Sequence, residues 1–206
     1  MRVKLFKGYE RFWHWTQALL MIVMGVTGFE IRGSYSWLGF ELAIDVHVIC
    51  AWTLIVLWVF TIFWHFTTGE FRHYIPRKEG VVAQVVYYTR GIFLGSPAPF
   101  HPSEQQKHNP LQRLAYLSLK VFMLPFIWIT GMLYYFYNEP FVQWLGEFGL
   151  GLEQIATLHV VAAFIIILFF VAHLYLITTG ETVGQHLKAM ITGYEDVPDK
   201  KPEAKK

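Results

Sequence analysis

Cysteine is almost missing from this chain: one residue, Cys50, in 206. A single thiol excludes an internal disulfide, a zinc ribbon, a cysteine-ligated iron–sulfur cluster and the CxxCH attachment of covalent haem. Any cofactor must therefore be held by histidine, by oxygen ligands or by packing. Charge is scarce too. Charged residues make up 16% and hydrophobic residues 54%, with aromatics at 18%; an average soluble domain is about 25% charged. A chain this apolar requires a non-aqueous solvent. The net charge of +2 is unremarkable, and no nucleic-acid partner is implied.

Four apolar runs are long enough to span a bilayer, which takes roughly 20 residues. They cover about 12–31, 44–66, 114–137 and 155–178. Each is expected to be a helix, because a lone strand in lipid leaves its backbone groups unsatisfied. The first run is too long for a cleaved signal, and it ends in GFEIRG, which is no small-residue cleavage site. The expectation is an all-α, integral-membrane four-helix bundle forming one domain over 1–206. Residues 81–93 read as a short amphipathic surface helix. The following GSPAPFHPSEQQKHNP reads as irregular, and the tail 197–206 as disordered.

Basic residues are missing from the two short loops, about 33–43 and 138–154, which hold Glu41, Glu139, Glu147 and Glu153. They crowd instead at the N-terminus (Arg2, Lys4, Lys7, Arg11), in the central loop (Arg72, Arg77, Lys78, Arg90, Lys107, Arg113) and at the C-terminus. The positive-inside rule then places both termini and the central loop in the cytoplasm. The expected location is a bacterial-type inner membrane, crossed several times and bathed in lipid.

The chemistry lies in the histidines. Of nine, five fall in or at the spans: His14, His47, His65, His159 and His173. An ionisable residue inside the membrane is costly and usually functional. His159 and His173 are 173 − 159 = 14 residues apart, which brings both to one helix face, on the order of 21 Å apart along the axis. Helix direction then gives depth. His14 pairs with His173 near the inner face, and His47 with His159 near the outer. Two neutral imidazoles fill both axial positions of a haem and leave no site for oxygen, so the chemistry is electron transfer. His65 shares the face of His47 and the depth of the inner pair. It is open to three roles (replacing His14, standing beside a propionate, serving a quinone), against the plainer reading of an interfacial histidine in a WHF cluster.

Several stretches resemble a known family. They are RFWHW with its apolar span, VH at the start of the second run, HNPLQRLAY before the third, LHVVAA…AHLYL in the fourth, and GQHLKAMITGY. The chain is similar to the cytochrome b subunits of membrane-bound nickel–iron hydrogenases and respiratory formate dehydrogenases (the gamma subunit), with thiosulfate-reductase-type relatives. The resemblance covers roughly 10–195. It implies two b haems, ligated through His14, His47, His159 and His173. It also implies a quinone near the inner haem, held by an asparagine at the position of Asn109, with Gln112 close by; the plainer reading of Asn109 is a helix cap ahead of Pro110. It further implies an outer-face partner carrying an iron–sulfur or multihaem centre, within a respiratory oxidoreductase complex. The chain carries no catalytic unit of its own, so it is not a complete enzyme.

Other residues in the spans carry secondary expectations. Lys120 reads as a side chain reaching the cytoplasmic surface, or as a partner for a haem propionate or reduced quinone. Arg11 is a second propionate candidate. Pro125 is expected to kink the third helix, and Gly25, Gly28 and Gly131 to allow close approach of helices or a flat haem. The rival reading is a transporter or proton relay using the intramembrane histidines. It requires acidic partners within the spans, and these are nearly absent.

Overall fold

A computed structural model describes residues 2–103, 106–180 and 182–196; the tail expected to be disordered lies outside them. Helix α1 runs Gly8–Ile31, α2 Phe40–Thr68, α3 Val81–Leu94, α4 Pro110–Tyr135, α5 Leu152–Leu176 and α6 Gln185–Thr192. The protein is mostly helical, with one departure from the all-α expectation. Strand β1 (Arg2–Lys4) pairs antiparallel with β2 (Tyr194–Asp196). Strands this short carry little signal of their own, and they form only because the two ends of the chain meet.

Three of these helices (α2, α4 and α5) are long and apolar enough to cross a membrane. Helix α1 has 24 residues but is not among them. Its mean hydropathy is lowered by Trp13, His14, Thr16, Gln17 and Glu30. The strongest helix contacts join α1 to α2 and α4 to α5. The surface is inverted relative to a water-soluble protein: Leu19, Ile49, Val56, Phe122 and Leu168 are more than half exposed, while Thr27, Glu30, Thr61, His65 and Thr130 are buried. Apolar side chains outside and hydrogen-bonded polar ones inside suit a lipid solvent. Together with the three apolar helices, this defines a multi-pass membrane protein.

The connections are fixed by buried charge. The Oε1 of Glu30 accepts hydrogen bonds from the backbone of Trp37 and Leu38, each at 2.7 Å, and of Gly39 at 2.8 Å. A carboxylate thus sits at the amino end of α2, where helix N–H groups favour an anion. At the opposite end, Lys107 donates to Glu10 at 2.9 Å and to Glu70 at 2.7 Å, all three buried. This cluster ties the start of α1, the 3₁₀ turn Glu70–Tyr74 and the approach to α4 together. Gly193 closes the same end at φ +89°, where a Cβ would meet the Phe6 carbonyl at 2.7 Å; only glycine fits there. Residues 2–11, the central loop and residues 185–196 therefore share one end of the molecule.

Pro125 does not break α4. A π turn over Leu119–Met123 immediately precedes it and absorbs the backbone hydrogen bond that proline cannot make. The expected surface helix forms as α3, with Val82, Phe93 and Leu94 about three-quarters exposed.

Candidate functional site

The four candidate ligands meet in two pairs, each bridging the α1–α2 and α4–α5 halves. His14 of α1 faces His173 of α5 with ring centroids 6.2 Å apart. His47 of α2 faces His159 of α5 at 6.4 Å. Two imidazoles bonded to one metal from opposite sides, each at about 2 Å with a ring radius of about 1.1 Å, have centroids just over about 6 Å apart. The spacing therefore suits a metal centre between each pair. It is too long for a direct hydrogen bond and too short for an intervening side chain.

The pairs are held differently. The Nδ1 of His159 lies 3.2 Å from the Ile127 carbonyl and 3.1 Å from Thr130 Oγ1. A carbonyl only accepts, so Nδ1 carries the proton and Nε2 keeps its lone pair for a metal. The Nδ1 of His47 lies 3.0 Å from Thr27 Oγ1. By contrast, the Nδ1 of His14 is buried without a hydrogen-bond partner. That pair is set by packing: His14 edge-on to Trp15 at 5.1 Å, and His173 parallel to Phe169 at 6.2 Å.

Glycine makes room at the other pair. A Cβ on Gly28 would meet His47 Cε1 at 3.5 Å, and one on Gly131 would meet His159 Cε1 at 3.0 Å. The first distance is an ordinary contact; the second is tighter than one, so the His159 ring must give by a few tenths of an ångström. Gly131→Ala is accordingly expected to displace His159 and lower haem occupancy at that pair severalfold, while Gly28→Ala stays near wild type. Haem content per chain of the two purified variants checks this. Gly25, grouped with these two by sequence, has open space around it.

His65 stands apart from both pairs. Its Nδ1 donates to the Thr61 carbonyl at 2.7 Å, and its Nε2 is buried and unpartnered. It lines an almost wholly apolar cavity of about 290 Å³ with Trp13, Trp58, Tyr74, Leu117 and Lys120. Lys120 does not reach for the surface. Its ammonium lies 3.4 Å from the Tyr74 ring centroid and 5.0 Å from that of Trp13, a cation held by aromatic faces. Arg11 donates to the Ile191 carbonyl at 2.6 Å, pinning α1 to α6.

Asn109 and Gln112 form a reciprocal cap on α4. Asn109 Oδ1 accepts from the Gln112 backbone at 2.8 Å, and Gln112 Oε1 from the Asn109 backbone at 3.0 Å. Asn109 Nδ2 also donates to the Tyr88 hydroxyl at 2.9 Å. This is the plainer of the two readings of Asn109, and it leaves one Nδ2 hydrogen uncommitted.

Thr27 and Thr130 were not marked by the sequence. Thr-Gly occurs at five places (27–28, 68–69, 130–131, 179–180 and 192–193), so the dipeptide alone does not mark these two; only 27–28 and 130–131 lie within a helix packed against the ligand-bearing one.

A multi-pass helical protein with imidazoles paired across its helices is, in class, a membrane cytochrome. The chain belongs to the prokaryotic cytochrome b561 family, which it matches over residues 5–193. It is 30% identical over 202 residues to YdhU of Escherichia coli, which bears the name of a cytochrome; the match covers 94% of this chain and 74% of that protein. It is 24% identical to a protein of Cupriavidus necator named as a Ni/Fe-hydrogenase B-type cytochrome subunit, over 92% of this chain and 85% of the relative. An Azotobacter vinelandii protein of the same name is 23% identical, over 98% and 91%. The family implies b-type haem and electron transfer. The residues fit that group: paired imidazoles at ligand spacing, an Nδ1–H on His159 held by a carbonyl, and a glycine at which a Cβ would press on a ligand ring.

Proposed function

We propose that this chain is the di-haem membrane subunit of a respiratory oxidoreductase complex, passing electrons between an outer-face partner and membrane quinone. The observation that carries the reading is the pairing of four histidines at two separate places, each at the spacing of an axial pair. His14 with His173 would hold one haem, and His47 with His159 the other. Bound b haem would supply one-electron transfer, with two imidazoles from this chain holding each iron.

Two such sites along α5 make a path rather than a reaction centre. One end then needs a donor or acceptor protein, and the other a small carrier. The names of the hydrogenase-type relatives favour a complex with a catalytic subunit. An iron–sulfur or multihaem partner on the outer face suits the charge bias, which sets the end shared by residues 2–11, the central loop and residues 185–196 in the cytoplasm and the short acidic loops outside. On this reading α1 is the fourth membrane helix, and its polar residues serve the haem. The membrane is the bacterial inner one.

The quinone is proposed at the cytoplasmic end, in the cavity of Trp13, His65, Tyr74 and Lys120. An apolar cavity with few polar groups is the usual form of a small-molecule site. Lys120 can donate to a quinone carbonyl, and the free Nε2 of His65 can accept from a quinol hydroxyl. Asn109 and Gln112 hold the head of α4 and do not line this cavity; a quinone contact through the spare Nδ2 hydrogen of Asn109 is a separate, alternative placement. The transporter reading gains nothing from the histidines, which meet in twos; among the described residues no three or more His, Cys, Asp or Glu gather as a metal site.

The test is to reduce the purified protein in lipid nanodiscs and add a short-chain quinone. Haem absorption should return to the oxidised form. His65→Phe and Lys120→Met should each slow that return at least tenfold with haem content unchanged. A wild-type protein indifferent to quinone contradicts the function, and variants as fast as wild type place the quinone elsewhere.

A further inference from the structure

The His47–His159 pair is served by two copies of one small device, and the His14–His173 pair is not. In α1, Thr27 donates its hydroxyl hydrogen to the Val23 carbonyl at 2.9 Å and meets His47 Nδ1 at 3.0 Å. In α4, Thr130 donates to the Phe126 carbonyl at 2.9 Å and meets His159 Nδ1 at 3.1 Å. Both threonines are buried, at 1% and 3% exposure. Each is followed by the glycine that lets the histidine ring lie against the helix backbone. In each half the histidine sits on the second helix of the pair, and the Thr-Gly on the first.

A hydroxyl has one hydrogen. With that hydrogen given to the carbonyl four residues back, the oxygen can only accept from the imidazole. Both Nδ1 atoms are thereby fixed as donors, and both Nε2 atoms point their lone pairs away from the threonine. A hydrogen bond donated by Nδ1–H draws the proton outward and raises electron density at Nε2. A metal bound there is then better stabilised in its higher oxidation state. His14 has no such partner: its Nδ1 is buried and unbonded.

We propose that Thr27 and Thr130 are positioning residues that accept the Nδ1–H of His47 and His159, a proton the Ile127 carbonyl also holds in place on His159, and lower the reduction potential of the haem between them, leaving the haem at His14–His173 untuned by this means. The proposal rests on the di-haem reading above. The wild-type protein separates the two: if it does not titrate as two b haems, that reading has failed before the threonines are tested.

The experiment is a spectroelectrochemical titration of purified full-length Thr27→Val, Thr130→Val and the double variant, with Thr27→Ser and Thr130→Ser as conservative controls. Valine keeps the branched shape and removes the acceptor. Each valine variant should raise the midpoint of the His47–His159 haem, the double more than either single, with the other haem unmoved. Each serine variant should return the wild-type value. Loss of that haem in a valine variant, with retention in its serine counterpart, supports the same role. Unchanged midpoints, equal shifts of both haems, or serine variants as impaired as valine ones overturn it.

Discussion

Alanine at His47 or His159 is expected to cut the haem content from two per chain to one, and alanine at His14 or His173 to do the same with the other haem. The two members of a pair should remove the same component of the reduced-minus-oxidised spectrum, and the two pairs should remove different ones. The physical basis is ligation. Each pair would hold its haem through two imidazoles in an apolar cleft, so loss of either would remove half of the protein's hold on the iron. His65 supplies the contrast. It lies away from both pairs, its Nδ1 is bonded to the Thr61 carbonyl, and its ring packs edge-on to Trp13 at 5.7 Å. His65→Phe should keep both haems. Absorption spectra of the five purified variants decide the matter. Loss of a haem with His65, or loss of different haems with His47 and His159, would break the assignment of pairs.

Lys107→Met is expected to cost about 3–5 kcal/mol, the usual consequence of removing one partner from a buried ionic cluster. Lys107 bridges Glu10 and Glu70 and its side chain is 5% exposed, whereas the Lys7 ammonium that also pairs with Glu70 is half exposed. Without Lys107, Glu10 keeps only the Lys7 backbone N–H and Glu70 only the more exposed Lys7 ammonium, and the two buried carboxylates repel each other. For a chain of this size the loss corresponds to a fall in Tm of about 10 °C or more. Glu70→Gln in the same background should recover part of it. The pH dependence follows from Glu70. Burial pushes its carboxyl up, but the hydrogen bonds from Lys107 and Lys7 outweigh this and hold it below the usual carboxylate range. A depressed folded value stabilises the protein above the unfolded value and ceases to do so as pH falls through the folded one. Wild type should therefore lose stability on acidification below about pH 4.5, a value close to that of an ordinary glutamate. The Lys107→Met protein should gain relative to wild type over the same range, because protonation relieves the repulsion. Thermal unfolding in detergent across that pH range measures both effects.

These two sites also show what the sequence makes legible. The histidine pairs are legible because two strong regularities act on them. Helical periodicity puts His159 and His173 on one face, and the bias of lysine and arginine assigns each a depth. The Lys107 cluster is not legible. Lys107 stands in SEQQKHNP, which reads as solvated turn, and its burial depends on Glu10 and Glu70 arriving from distant parts of the chain. The pairing of β1 with β2 is hidden for the same reason. Thr27 and Thr130 escape notice because a threonine in an apolar helix ordinarily bonds its own backbone, as both do here; only the neighbouring helix reveals the second bond. Helix α1 shows the opposite difficulty. The residues that lower its hydropathy include His14, the one expected to hold a haem.

The most direct test of the whole account is the ratio of extractable haem b to polypeptide in the purified wild-type protein, with a redox titration of the same sample. Two haems b per chain, titrating as two components, are predicted. One haem per chain would leave a histidine pair without its purpose, and none would contradict the account outright.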